Sequence, residues 1–174
     1  ERSYFIPVIT KGDFLKILMK ATGMKYDLSP EDKIQFYDVQ SESEFSSVVS
    51  AAYSKGIIKG NGDGTLGVNK NLTLEEAAAM ALRAVGYETA AENAGGYPTG
   101  FNSIAFGEGL MDNVTASVGG LLTLDSSIIL VYNMMNMDLM TINSTGDYSA
   151  DDGKTLMNSV FDIYMTEGIV EENG

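Results

Sequence analysis

Three stretches of the chain share one arrangement of polar and apolar positions: ITKGDFLKILMKATGM (9–24), LTLEEAAAMALRAVGY (72–87) and LTLDSSIILVYNMMNM (122–137). Each opens on an aliphatic residue and a threonine, Thr10, Thr73 or Thr123. Apolar residues then recur every three or four positions: Phe14, Ile17, Leu18 and Ala21, then Ala77, Met80, Ala81 and Ala84. Ser127, Leu130, Val131 and Met134 occupy the matching positions of the third copy. This period predicts amphipathic helices with one face in a core. Phe14, Ile17, Leu18, Met80, Ala81, Leu82, Leu130, Val131 and Tyr132 fall on or beside that face and are expected to be largely buried. Asp13 and Glu76 stand three residues after their threonines, the spacing of a capping box. Ser126 leaves the third box incomplete. Gly23, Gly86 and Asn136 can adopt the left-handed conformation that ends a helix.

A second pattern alternates with the first. SSVVSAAYSKGII (46–58), GFNSIAFGEGLM (100–111) and NSVFDIYMTEGIV (158–170) each read as a short helix. Each closes on a glycine and two apolar residues: Gly56-Ile57-Ile58, Gly109-Leu110-Met111 and Gly168-Ile169-Val170. The glycine stops the helix and the apolar pair leads the chain back across the core. The chain is therefore an internal repeat of threonine-helix and glycine-helix. The methionine-rich VYNMMNMDLM (131–140) reads as core helix, or less readily as an adaptable packing surface.

Between two of these helices lies KGIIKGNGDGTLGVNKNL (55–72). With Gly64 at position six of a calcium loop, positions one and twelve would be Lys59 and Lys70, where carboxylates are required. No G-K-[ST] follows, so the stretch is no phosphate loop. Asp63-Gly64 has the composition of a tight turn. A divergent cation site at Asp63 is the alternative.

Composition narrows the chemistry. At 174 residues, 44% of them hydrophobic, the chain is long enough for one domain with a sizeable core. No apolar run nears the roughly 18 residues of a membrane span, and no basic start with an apolar core marks a signal peptide in ERSYFIPVIT. The chain reads equally well as a piece of a longer protein. A net charge of −13 argues against nucleic acid as a partner and against a basic membrane-surface helix. Cysteine and histidine are absent, which excludes disulfides, thiol and Ser-His catalysis, and histidine-based zinc ligation. Asp151-Asp152 and Glu171-Glu172 are adjacent in sequence and read as solvated loop charges rather than a catalytic pair. No enzyme activity, metal or cofactor is expected.

The order FYDV (36–39), then GIIKGNGDGTLGVNKNLTLEEAAAMALRAVG (56–86), resembles the S-layer homology family of bacterial surface proteins. That family's repeat runs F-x-D, helix, G-[IVL]-[IVL]-x-G-x-x-D-G-x-F-x-P, then [IL]-T-R-A-E opening a helix that ends in R-A-G. Phe36, Asp38, Gly56, Gly60, Asp63, Gly64, Thr73, Glu76, Arg83 and Gly86 fall on its positions. The resemblance is specific over 34–87, moderate over 97–140 and present as a half-motif at 9–24.

The resemblance implies an all-α fold, a pseudo-three-fold helical spindle with short helices around a central three-helix bundle. The order of the half-motifs, rather than the resemblance, suggests that the terminal helix closes it; the alternative is that 141–174 is a linker into another domain. With closure, residues 1–174 would form one such domain, with repeats 34–87 and 97–140 and the orphaned half-motifs 9–24 and 155–171 pairing as one prong. The resemblance further implies a non-catalytic module outside the cell, on a bacterial wall or S-layer. There it would anchor a surface protein to secondary cell-wall polysaccharide, often pyruvylated, with neighbouring domains of a longer protein as further partners. Neither nucleic acid nor membrane insertion is implied. The family's arginine of T-R-A-E, a main ligand residue, is replaced here by Lys11, Leu74 and Leu124, and no tryptophan is available to line a groove. The implied glycan groove therefore centres on Lys11, with Thr10, Asp13, Asp38, Asp63, Gly64, Thr73 and Glu76 as further candidates. The alternative is a module of the same fold that has lost glycan binding and joins domains or subunits.

Overall fold

A threonine hydroxyl starts each of the three main helices. The computed structural model describes residues 7–25, 36–142 and 147–164. In chain order the elements are α1 (Lys11–Ala21), α2 (Ser46–Ser54), α3 (Leu74–Ala84), α4 (Glu88–Asn93), α5 (Thr99–Gly107), α6 (Leu124–Asn136), β1 (Leu139–Ile142), β2 (Tyr148–Asp151) and α7 (Leu156–Phe161). Thr10, Thr73 and Thr123 stand as extended residues before α1, α3 and α6, and their hydroxyls accept from the N–H groups of Asp13, Glu76 and Ser126. The full reciprocal box forms at Thr73, where Glu76 reaches back to the threonine N–H.

The three capping segments bind one another in a closed ring. Ile9 N–H donates to Leu122 O (3.0 Å), Leu122 N–H to Leu72 O (2.8 Å), and Leu72 N–H to Ile9 O (3.0 Å). A second ring surrounds it: Lys11 N–H to Lys70 O (3.0 Å), Leu74 N–H to Gly120 O (3.0 Å) and Leu124 N–H to Pro7 O (2.9 Å). The first N–H of each helix, which has no partner inside its own helix, is thus bound by a neighbouring segment. The side chains of Ile9, Leu72 and Leu122 are all buried. From the ring, α1, α3 and α6 pack pairwise.

The glycine-helices lie around this centre. α2 packs on α1, α5 on α3, and α7 on α6, so each threonine-helix takes the next glycine-helix along the chain. Gly56 and Gly109 have positive φ (72° and 75°), and the apolar pairs after them are buried. α4, absent from the sequence reading, bridges α3 and α5. The described residues are mostly helical, and the small exception is the antiparallel hairpin β1–β2, with Met140 N–H donating to Val85 O (3.0 Å).

Phe14, Leu18, Met80, Ala81, Leu82, Leu130 and Val131 are buried as expected, while Ile17 is half-buried. Tyr132 is not buried: it is 47% exposed, on an outward stripe of α6 with Ile128 and Leu124 one and two turns earlier. The helix meets the core through Ser127, Leu130, Val131 and Met134 instead. Asn136 is also not a left-handed stop. It is the last helical residue, its amide bonded to Tyr132 O (2.8 Å), and Met137 turns into extended backbone that feeds the hairpin. The expected helix at 158–170 is shorter and begins earlier. Thr155 and Asn158 form a capping box, and the helix ends at Phe161 because Asp162 is left-handed (φ 56°). Gly168-Ile169-Val170 lies outside the described residues.

Val160 of α7 stands over Gly23 at the end of α1, so close that a Cβ at Gly23 would lie 2.1 Å from its Cγ1. We propose that this contact closes the half-motifs 9–24 and 155–171 into one domain. Deleting residues 155–174 then uncovers the end of α1 and a face of α6, and Tm is expected to fall by roughly 5 °C or more. A truncated chain that melts like the full one would make the terminal segment an appendage.

Candidate functional site

The loop 55–72 is held from a distance by one carboxylate. Asp38 accepts from the backbone N–H groups of Leu66 (2.8 Å), Gly67 (2.7 Å) and Val68 (3.3 Å). Burial works to raise its carboxyl, but these three donors outweigh it and hold the group below its ordinary value of 3.8. Asp63 forms a local turn, its Oδ1 accepting from Thr65 N–H (2.9 Å) and hydroxyl (2.7 Å), which lowers its carboxyl too. Gly64 follows at φ 85°, and a Cβ there would strike the ring of Tyr37. Asp63 and the distant Asp38 are therefore both engaged with the loop's backbone and hydroxyl donors.

The helix starts supply the second group. The Thr10 hydroxyl donates to Asp13 Oδ2 (2.7 Å), so both residues serve the cap of α1. Lys11, read from sequence as the free cation of the groove, is 7% exposed and internally paired. Its Nζ donates to Leu66 O (2.8 Å) and lies 2.9 Å from Glu76 Oε1. The other oxygen of Glu76 accepts from Thr73 N–H (3.1 Å). One carboxylate thus completes the cap of α3 and ties it to α1. Of the remaining residues at the family's arginine position, Leu74 is buried in the core and Leu124 is 36% exposed.

Beside this pair opens a cleft of about 340 Å³. Its walls are the start of α1 (Lys11), the loop Ile58–Asn61 with Leu66, the α3 face Glu76, Ala79, Met80 and Arg83, and Tyr97. Of the eight residues singled out in the sequence, Lys11 and Glu76 line the cleft. Thr10, Asp13, Asp38, Asp63, Gly64 and Thr73 do not, and serve caps and loop geometry.

Lys59, Asn61, Arg83 and Tyr97 were not among the sequence candidates. Arg83 stands on α3 at helical spacing from Glu76 through Ala79 and Met80, a signal the sequence does carry. Tyr97 reaches the cleft by way of α4, which no local pattern announces. Arg83 Nε donates to Glu88 Oε1 (3.3 Å), and its guanidinium carbon lies 4.8 Å from the centre of the Phe101 ring. Tyr97 packs edge-on against the same ring at 6.1 Å. Lys59 also binds Glu88. Burial alone would raise the Glu88 carboxyl, yet Lys59 and Arg83 together keep it lowered. The Tyr97 hydroxyl is raised by burial and then by the charges of Glu76 and Glu75. The cleft is a mixed-charge hollow with one aromatic rim, suited to holding a polar ligand. Among the described residues, no group of three or more acidic side chains could hold a metal ion.

Comparison with known proteins places one stretch. Residues 35–78 match the family model of the S-layer homology domain. No curated protein matches the chain significantly.

Lys11→Met keeps the length of the side chain but leaves Glu76 and Leu66 O without their partner. It is expected to cost about 1–3 kcal/mol in urea unfolding, and an unchanged midpoint would show that the ammonium is not a structural cross-link. Asp38 makes a second prediction. Its lowered carboxyl contributes stability that is complete above its unfolded value and is lost as pH falls through the folded one. Asp38→Asn is expected to cost about 1 kcal/mol near neutral pH, since the carboxylate is partly exposed. The loss should shrink on acidification below pH ~4. A pH-independent difference between the two proteins would remove the ionic account of this clamp.

Proposed function

We propose that this chain anchors a bacterial surface protein by binding secondary wall polysaccharide in the cleft beside Glu76, since residues 35–78 match the S-layer homology domain, a non-catalytic family whose role is attachment to cell-wall polymers. The observation that carries this reading is that the matched stretch forms one wall of the cleft. Ile58, Lys59, Gly60, Asn61, Leu66 and Glu76 all come from it. The cleft's chemistry supports a sugar. Tyr97 is 52% exposed at the rim, a surface on which a sugar ring can stack. Lys59, Asn61, Glu76 and Arg83 offer donors and acceptors for hydroxyl and acidic groups. Neither an apolar ligand nor nucleic acid suits a mixed-charge cleft on a chain of net charge −13. No helix among the described residues is long and apolar enough to cross a membrane.

Co-sedimentation with purified bacterial wall sacculi tests the reading. The chain is expected to pellet with intact sacculi and to stay in solution once the secondary polysaccharide has been chemically removed. Tyr97→Ala should reduce the pelleted fraction severalfold while leaving the helical circular dichroism unchanged. A chain that ignores intact sacculi, or that pellets equally with stripped ones, would overturn it.

A further inference from the structure

The cleft contains three cations, but they are not equivalent. Lys11 is spent on Glu76 and Leu66 O, and Lys59 is an exposed partner of Glu88 and, at 4.0 Å, of Glu92. Arg83 is different. Its side chain is 11% exposed, Nε is pinned by Glu88, and the guanidinium plane rests near the Phe101 ring. Nε to Glu88 is the guanidinium's one protein hydrogen bond among the described residues. Among the described residues, Ser43 Oγ is the one buried side-chain polar atom without a partner. The Nη groups of Arg83 are therefore in contact with solvent, and the residue lines the cleft. A guanidinium held on two sides and open on its third is preorganised to take an oxyanion through paired N–H donors. Little rotamer freedom is left to lose on binding.

We propose that Arg83 is the specificity-determining residue of the cleft, gripping an oxyanion of the wall polymer, a sugar carboxylate or a phosphate, while Tyr97 stacks on the adjoining ring. This rests on the wall-polymer reading above. It also moves the anion site away from the position at the start of the threonine-helices, where this chain has a buried lysine and two leucines. Arg83, Tyr97 and Phe101 all lie beyond the matched stretch 35–78. Arg83 itself stands at the arginine that ends the repeat's second helix, so what the chain's continuation adds is its setting: Glu88 and Phe101 act as positioning residues and Tyr97 forms the rim.

The test compares wild type and Arg83→Gln on three preparations of sacculi: native, carbodiimide-amidated so that carboxylates are neutral, and depleted of phosphate-bearing polymer with carboxylates intact. Wild type is expected to bind native sacculi about ten- to a hundredfold more tightly than Arg83→Gln. It should lose that advantage on one treated preparation: on amidated walls if the oxyanion is a carboxylate, on phosphate-depleted walls if it is a phosphate. A merely structural arginine would not make the variant indifferent to the chemistry of the wall. If Arg83→Gln loses its helical circular dichroism, competition on the wild type decides: millimolar glucuronate or inorganic phosphate should release it from native sacculi. Equal binding of variant and wild type to native walls overturns the inference and leaves the wall-polymer reading standing. So does wild-type binding that neither treatment nor either competitor disturbs. No wild-type binding to native walls overturns both.

Discussion

Everything in this fold hangs from the ring of backbone hydrogen bonds that joins Ile9, Leu72 and Leu122. A buried peptide group without a partner is costly, and the start of a helix has several such groups at once. Three helices whose N-termini meet in a core would multiply that cost. Here the chain answers with three copies of one device. An extended aliphatic residue bonds around the ring, a threonine hydroxyl takes the third helical N–H, and the first helical N–H crosses to the neighbouring segment. The ring therefore sets where α1, α3 and α6 begin and which faces they turn to one another.

The cleft is a consequence of that arrangement. Bringing the starts of α1 and α3 together puts Lys11 beside Glu76 and both beside the carbonyl of Leu66. An ammonium at that depth is stable only when paired. Glu76 supplies the pair with one oxygen while its other finishes the cap of α3. A residue that looks like a ligand contact by its place in a motif is thereby converted into a cross-link between two repeats. The groups left facing the open part of the cleft come from further along α3 and from the segment after it. They are organised by Glu88 and by the Phe101 ring.

Regularity also has limits here. α6 lacks an acidic partner for its cap and carries an outward apolar stripe, and its C-terminus runs into a hairpin rather than a glycine turn. The hairpin packs against the end of α3, with Met140 close enough to Gly86 that a Cβ there would meet its carbonyl oxygen at 2.8 Å. Gly86 thus has two reasons to be glycine, its positive φ of 90° and this approach, although the helix-stop pattern alone suggests only the first.

Much of the architecture was legible along the chain because it is local. Threonine caps, helical periodicity and the stops at Gly23, Gly56, Gly86 and Gly109 depend on neighbours within four residues, and the repeated motif could be read for the same reason. Burial of Phe14, Leu18, Met80 and Leu130 followed from period alone. What sequence could not decide is which side chains with similar chemistry meet across space. Lys11 and Arg83 are both cations on repeat motifs. Only the docking of α1 on α3 buries the first against Glu76, and only the return of the chain through α4 and α5 sets Phe101 and Tyr97 beside the second. The same limit explains Tyr132, whose place on the helix was clear but whose facing surface was not. Charge pairing, desolvation and ring contacts act through space, so the tertiary structure alone assigned one cation to the framework and set the other on the wall of the cleft.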